Sequence, residues 1–354
     1  MKKMPVLAFD RSNIKPGDRV CIALSGGADS VALLLTLHAA NSTPRESLGA
    51  GLSAVHINHH LRGEESNADQ HFVEDLCINL DIPLHLHHAD TPARITITKE
   101  TIEEAARNVR YDFFTTLLAS GHADSILTAH TLDDQAETVL MKLLRGAWTE
   151  GLSAIHPVIT LPKGKILRPF LQTRRAEIES FLKSINQPWR EDSTNTDTAF
   201  TRNKIRHELL PQLRAYNPNL DQTLANLAEL AREEESRWQT ELSRILPQLL
   251  LPGKPVRGGG RAVSTTPGQS AIAIELERLR ALDPALRRRI IRAAARQLGA
   301  RLSFDETSRL LALCGFRPSA SGNAVAARTG SALHLSNGLR ADRSPRELRL
   351  FRSQ

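Results

Sequence analysis

The chain has 354 residues with 41% hydrophobic and 24% charged side chains, and it carries a formal net charge of +7. This length allows two domains, and the composition is that of an ordinary globular protein. No apolar run is long enough to form a signal peptide or to cross a bilayer, so we expect a cytoplasmic protein without a membrane partner. The three cysteines are widely separated and form no C-x-x-C pair, which excludes the usual spacings of a thiolate zinc site and of an iron–sulfur cluster.

The first 150 residues alternate between strand and helix. Short strands are predicted at residues 20–24, 54–58, 83–88 and 125–129, and helices at residues 29–39, 67–80, 103–120 and 133–144. This alternation predicts an α/β fold, with an N-terminal doubly wound parallel sheet of Rossmann-like type. Ligands of such sheets bind beyond the carboxyl ends of the strands.

From residue 174 onward the chain is predicted to be mainly helical, with a few short strands. An amphipathic helix is predicted at residues 221–250, a Pro/Gly-rich break at 251–269, a helix beginning at Asp283-Pro284, and short strands within 324–350. We place the domain boundary near Leu213, which gives a first domain of residues 1–213 and a second of residues 214–354.

The second part of the chain is strongly basic. Residues 201–354 contain 26 Lys and Arg, of which 24 are Arg, against 14 Asp and Glu. The rigid guanidinium fork suits bidentate contact with phosphate, and an excess of this kind is typical of nucleic-acid-binding regions. A compositional preference for arginine would explain the choice of Arg over Lys but not the excess over acids.

The first predicted strand ends in the turn SGGADS, residues 25–30. Glycines here let backbone N–H groups approach an anion, and the N-terminus of the following helix adds a partial positive charge. The hydroxyls of Ser25 and Ser30 can bind phosphate oxygens. Asp29 would repel phosphate unless a cation lies between them, so we expect Mg²⁺ to bridge Asp29 and a polyphosphate. A simple capped turn is the alternative, and no Walker A or G-x-G-x-x-G motif occurs.

This turn resembles the PP-loop of the N-type ATP pyrophosphatases, which split ATP into AMP and pyrophosphate. The resemblance implies that ATP is bound by the residues of the turn and of the strand end before it, namely Ala23, Leu24, Ser25, Gly26, Gly27, Ala28, Asp29 and Ser30. His56 and Asn58, at the end of the second strand, are expected to border the adenosine.

Further blocks in the same order resemble the tRNA(Ile)-lysidine synthases within that superfamily. They are residues 56–62, 103–111, 127–138 and 191–195, the last leading into 201–207 and 209–211. The resemblance covers roughly residues 18–214. It implies that ATP adenylates C2 of the wobble cytidine in tRNA(Ile) with anticodon CAU, and that free L-lysine then attacks C2 and expels AMP. The product, lysidine, switches decoding from AUG to AUA. The oligomeric state stays open, with a homodimer as one of the states considered.

The predicted site follows from these blocks. Asp134 and Glu137 lie three apart on a helix, hence on one face, and are assigned to the ammonium groups of lysine; a helix start favoured by acids is the alternative. His130 is placed near the reacting centre, and Arg110 near the α-phosphate, where a cation stabilises departing charge. Arg202 is expected to reach the reacting phosphate. The catalytic set is thus Asp29, Arg110, His130, Asp134 and Arg202, and the tRNA contacts are Arg206, Arg288 and Arg289.

Two departures from the family pattern concern loops near the site. His60 stands where the family commonly has glycine, and residues 145–148 read Arg-Gly-Ala-Trp in place of R-G-S-G. The main alternative function is a PP-loop tRNA thiolase acting on another tRNA base, which would need cysteines that carry sulfur or hold a cluster. A small-molecule synthetase and a non-catalytic tRNA-binding protein are the others. The histidines near residues 56–60 and 85–88 form no recognisable zinc site.

Overall fold

A computed structural model describes residues 7–42, 47–191, 200–255, 261–262, 271–316 and 329–352. Three predicted features lie wholly or partly outside these residues: positions 192–195 of the fourth block, much of the break at 251–269, and the start of the strand region at 324–328. The chain divides into two compact units, Met1–Glu235 and Ser236–Gln354. The first unit therefore extends beyond Leu213, near which we place the domain boundary from the sequence.

The first unit contains a six-stranded sheet with the order β3-β2-β1-β4-β6-β5. Its strands are β1 Arg19–Ala23, β2 Gly51–Asn58, β3 Leu84–His88, β4 Ser125–Leu127, β5 Val158–Leu161 and β6 Gly164–Leu167. β1 to β4 and β6 pair in parallel, and β5 pairs with β6 as an antiparallel hairpin. The predicted parallel sheet is confirmed, and the β5–β6 hairpin is an addition that the sequence analysis did not predict.

Helices connect the strands and continue into the rest of the first unit. They are α1 Ala28–Ser42, α2 Glu64–Asn79, α3 Thr91–Thr98, α4 Ile102–Ala119, α5 Leu132–Leu144, α6 Thr149–Leu152, α7 Arg175–Ser184, α8 Thr201–Lys204, the π-helical turn Ile205–Leu209, α9 Leu210–Tyr216 and α10 Leu220–Leu249. Residues 236–249 of α10 belong to the second unit. α4 begins with the capping box that the sequence indicates, in which Thr101 and Glu104 bind each other's backbone N–H groups.

The core of the first unit explains the apolar runs in the sequence. Val20 and Ile22 of β1 are fully buried, because helices cover both faces of a parallel sheet. α1 is buried around most of its surface, with Leu33 and Leu34 inside the same cluster. α7 contributes Ile178 to this cluster, so the starts of α1 and α7 are held in fixed positions next to the sheet.

The second unit is built on a five-stranded antiparallel sheet packed against helices. The strand order is β11-β12-β13-β10-β7, and a separate two-stranded pair joins β8 and β9. The elements are β7 Leu250–Pro252, β8 Lys254–Pro255, β9 Arg261–Ala262, β10 Ala271–Glu275, α11 Leu276–Arg280, α12 Pro284–Gln297, α13 Phe304–Leu313, β11 Ala332–His334, a 3₁₀ turn Ser336–Gly338, β12 Leu339–Arg343 and β13 Glu347–Arg352. Helices with short strands are thus confirmed in this part of the chain.

Candidate active site

The order of the strands creates a crevice at the carboxyl edge of the first sheet. β1 pairs with β2 on one side and with β4 on the other, so the connections that leave β1 and β4 diverge. Such a switch point is where α/β sheets bind ligands. We call the space between residues 24–30 and residues 128–137 the crevice. The predicted PP-loop forms one wall of it, and the predicted lysine-binding acids are on the other.

The PP-loop is held in shape by its own hydroxyl groups. The backbone N–H of Ser25 donates to Ser30 Oγ at 3.1 Å, and Ser30 Oγ donates to the carbonyl of Gly27 at 3.0 Å. Gly26 has φ +91°, and a Cβ there would lie 3.4 Å from Arg190 Cγ. This position therefore favours glycine for its conformation, while a Cβ would make only ordinary contacts with its neighbours.

Asp29 lies in the first turn of α1, directly after the loop. Its Oδ2 is 3.2 Å from Arg175 Nη2, whereas its buried Oδ1 has no hydrogen-bond partner among the described residues. Burial raises the pKa of Asp29 to about 7, with Arg175 opposing the shift and Asp134 adding to it. A buried carboxylate oxygen with no partner, beside an anion-binding turn, fits the oxygen-ligand preference of Mg²⁺.

Asp134 has the helix-start role that the sequence left open, and it also pairs with a cation of the chain itself. It lies in the first turn of α5, where its Oδ2 accepts from the backbone N–H of Thr131 at 2.9 Å and completes a capping box. Its Oδ1 accepts from Arg202 Nη2 at 2.7 Å. Burial by itself would raise the pKa of Asp134, but the nearby cations, Arg202 first among them, outweigh it and lower the pKa.

Glu137 is 1% exposed and lies on the same face of α5. Its Oε2 accepts from Arg202 Nε at 2.7 Å, and its Oε1 accepts from Arg206 Nε at 2.5 Å. Burial lowers the pKa of both guanidinium groups, yet Asp134 and Glu137 outweigh it and raise each above the usual value. The structure therefore brings Asp134, Glu137, Arg202 and Arg206 together as a half-buried, charge-balanced quartet, in which Glu137 is the fully buried member.

His130 and Arg110 are near this quartet. His130 Nδ1 is 3.0 Å from Thr128 Oγ1, and burial, together with Arg168, Arg202 and Arg110, lowers the pKa of its imidazole. Arg110 is exposed and makes no ion pair among the described residues. Desolvation by the surrounding protein lowers the pKa of its guanidinium.

The residues at the end of β2 are held by neighbouring polar groups. His56 Nδ1 is 2.8 Å from the carbonyl of Leu24, and burial lowers the pKa of His56. The Asn58 amide donates to Gln70 at 2.9 Å. His60 adopts φ +50°, a conformation that favours glycine, and its ring stacks on His88. In the described part of the chain, no group of three or more His, Cys, Asp or Glu could hold a metal ion.

The two arginines predicted on α12 have different environments. Arg288 lies over the ring of Phe304, which is 68% exposed. Arg289 is 7% exposed and stacks on Trp238 at 4.5 Å. Because its guanidinium packs inside the second unit, Arg289 is poorly placed to contact phosphate, and we assign it to packing rather than to tRNA binding.

Two further arginines near the site, Arg175 and Arg168, are not predicted from the sequence. Arg168 is buried and donates to the Tyr111 hydroxyl at 3.0 Å. Arg175 is the first residue of α7, and its backbone N–H donates to Asp133 Oδ2 at 2.9 Å. A cation is unfavourable at a helix N-terminus, so an arginine there signals an acidic partner and could have been noticed. Arg168 carries no such signal.

Comparisons with known proteins show the family of the chain. A family model described as PP-loop domain matches residues 5–213, and one described as TilS substrate binding domain matches residues 275–336. The tRNA(Ile)-lysidine synthase of Nitratidesulfovibrio vulgaris is 36% identical over 295 residues, covering 82% of both chains. The chain belongs to the tRNA(Ile)-lysidine synthase family.

Other relatives of that family name are longer. The synthase of Solibacter usitatus is 42% identical over 78% of this chain and 56% of its own, and that of Geobacter sulfurreducens is 38% identical over 86% and 61%. The chain thus spans between about half and two thirds of these two relatives. The fold is also similar to that of a solved structure, the U34-tRNA thiolase NcsA from Methanococcus maripaludis, with a TM-score of 0.52 and 17% identity. The alignment covers 63% of this chain and 75% of the thiolase, and it shows a shared fold.

Proposed function

We propose that this member of the family is an ATP-dependent ligase that joins free L-lysine to C2 of the wobble cytidine of tRNA(Ile) with anticodon CAU. The observation that carries the proposal is the convergence, at one sheet edge, of the PP-loop acid Asp29 with the acids of α5 and the arginines of α8 and the π-helical turn. The charges that act on Asp29 include Asp133, Asp134 and Arg206, so the two walls of the crevice are within electrostatic reach of each other.

ATP binds with its phosphates at the PP-loop and the N-terminus of α1 in this proposal, and His56 and Asn58 lie towards the adenosine. Asp29 would hold Mg²⁺, since its Oδ1 has no hydrogen-bond partner in the part of the chain that the structure describes. The ion, when bound, would offset phosphate charge as pyrophosphate leaves. The cytidine C2 oxygen attacks the α-phosphorus, and Arg110 stabilises the charge that develops there because it has no carboxylate partner among the described residues.

Lysine binds at Asp134 and Glu137 in the second step, and one of its amines displaces AMP from C2. All four oxygens of these two carboxylates already accept hydrogen bonds. An ammonium group would therefore compete with Arg202 and Arg206 for these oxygens. An arginine displaced from the acids would be free for the reacting phosphate or the tRNA. The lowered pKa of His130 keeps its imidazole neutral at pH 7, so it does not repel the ammonium.

The tRNA would contact the basic second unit, where Arg288 is the residue we retain for a phosphate contact. The thiolase alternative is disfavoured by the cysteines. Cys21, Cys77 and Cys314 are all buried, and burial raises their pKa to about 12, about 11 and about 12, which disfavours the thiolate needed for sulfur transfer. In the part of the chain that the structure describes, no helix has the length and apolar character to cross a membrane. A cytoplasmic location and a homodimer stay predictions.

The test is mass spectrometry of a tRNA(Ile) CAU transcript after incubation with ATP and isotopically labelled lysine. We expect one labelled lysine per tRNA at the wobble cytidine and lysine-dependent release of AMP. A transcript with uridine at that position is the matched control and should gain no label. Asp29→Ala should lose AMP formation while it keeps most of its tRNA affinity. Thiolation, or AMP formation that does not depend on lysine, would refute the proposal.

A further inference from the structure

Arg175 differs from the other arginines that bind the acids of the crevice. Arg202 and Arg206 each contact both Asp134 and Glu137, and Arg214 contacts Asp133 and Asp221. Among the described residues Arg175 contacts a single carboxylate, that of Asp29, at 3.2 Å. A guanidinium has five N–H donors, so most of the donors of Arg175 are available to a further acceptor.

The backbone of Arg175 is fixed next to the PP-loop. Its N–H donates to Asp133 Oδ2 at 2.9 Å, which ties the first turn of α7 to the first turn of α5. One turn later, Ile178 is fully buried in the cluster that also holds α1. The side chain thus extends from a rigid position to Asp29 and remains about one-third exposed.

A cation at this position is unfavourable without an anion. Arg175 lies at the N-terminus of α7 and reaches the first turn of α1, and both helix ends carry partial positive charge. Asp29 supplies one negative charge, but the proposed Mg²⁺ would bind the same carboxylate and neutralise part of that charge. A bound triphosphate would restore the balance, because its oxygens accept bidentate hydrogen bonds from a guanidinium.

We propose that Arg175 is a triphosphate-binding residue, which pairs with Asp29 until ATP enters the crevice and then donates to the β- and γ-phosphate oxygens. This inference rests on the proposed use of ATP and adds a residue that the family motifs of the sequence analysis do not include. It assigns Arg175 to the pyrophosphate half of the nucleotide, away from the α-phosphate, where Arg110 is proposed to act.

Equilibrium binding to two nucleotides tests the assignment without any turnover. The probes are α,β-methylene-ATP with Mg²⁺, and AMP, which lacks the pyrophosphate. Arg175→Gln should weaken binding of the ATP analogue by about tenfold or more, the range for loss of a charge-assisted hydrogen bond, and leave AMP affinity unchanged. Arg175→Lys keeps the charge without the fork and should show a smaller loss. Lys183→Gln, on the exposed side of the same helix, is the matched control.

Each outcome separates this inference from the proposed function. If Arg175→Gln binds the ATP analogue as tightly as wild type, Arg175 is only a counter-ion of Asp29 and the inference is wrong. An equal loss for both nucleotides would also reject it, since that indicates a damaged pocket. A wild-type protein that binds no ATP would overturn both proposals. Lysidine formation by wild type together with unchanged analogue binding by Arg175→Gln would overturn only this one.

Discussion

Replacing Asp29 by Asn should stabilise the fold, and the gain should grow with pH. Asp29 has a pKa of about 7 in the folded protein, against 3.8 for the free side chain. The folded state therefore holds the proton more tightly than the unfolded chain, so stability falls as pH rises from about 4 to about 7. Asn cannot ionise and escapes this loss. From the two pKa values, the free energy of unfolding of Asp29→Asn should exceed that of wild type by about 2 kcal/mol at pH 5 and by about 4 kcal/mol at pH 8.

The measurement is urea unfolding of wild type and Asp29→Asn in EDTA between pH 5 and pH 8, with both proteins at the same concentration. Asp124→Asn is a control of opposite sign. Hydrogen bonds from Arg19 lower the pKa of Asp124, so this variant should lose stability at neutral pH and recover it in acid. A constant difference between wild type and Asp29→Asn across this range would show that burial does not hold a proton on Asp29. A wild type that is more stable than Asp29→Asn at neutral pH would show that the ionised carboxylate stabilises the fold, which is the opposite of the prediction.

Four further outcomes follow from the described contacts. Glu137→Gln leaves two guanidinium groups without a buried acid, so it should lower the free energy of unfolding by about 3 kcal/mol or more, as measured by urea titration. A loss below about 1 kcal/mol would contradict the ion pairs that Glu137 makes with Arg202 and Arg206. Arg288→Ala should reduce by about 1 the slope of log K against log salt concentration for tRNA binding, measured by filter binding. Arg289→Ala should leave that slope unchanged and lower the melting temperature of the protein, measured by calorimetry. Because the pKa of His130 is lowered, His130→Asn should leave the shape of the pH profile of kcat/KM unaltered between about pH 6 and 9. If an inflection of the wild-type profile is absent in the variant, His130 titrates in that range and the prediction is wrong. Gly26→Ala should weaken ATP binding in the same nucleotide assay, because φ +91° strains any other residue, and wild-type affinity would exclude that constraint.

Local patterns were enough to predict the strands and helices that carry the PP-loop. An apolar run followed by two glycines and a leucine-rich segment predicts β1 and α1, because a strand buried on both faces is hydrophobic along its whole length. The β5–β6 hairpin was missed. Its strands are four residues each and only partly buried, so neither alternation nor a long apolar run marks them.

The site was predictable as a set of residue types but not as a set of contacts. The spacing of Asp134 and Glu137 indicates one helix face, and the structure places both acids against Arg202. No local pattern could pair these acids with arginines that follow some 65 residues later in the chain. The burial of Arg289 was hidden for the same reason, since its partner Trp238 belongs to a different helix.

The charges of the crevice explain why an anionic substrate needs residues beyond the predicted motif. The acids in this region are Asp29, Asp133, Asp134 and Glu137, and their partners are Arg175, Arg202, Arg206 and Arg214. Because these charges cancel, the paired arginines offer little net attraction to a triphosphate. Under the proposed function, ATP would bind through backbone N–H groups, through Arg110, and through any arginine that can leave its acid. Of the four, Arg175 is the arginine with a single carboxylate contact among the described residues, so it is the easiest to release. The proposed binding of a nucleotide would therefore break the pairing of Asp29 with Arg175 first.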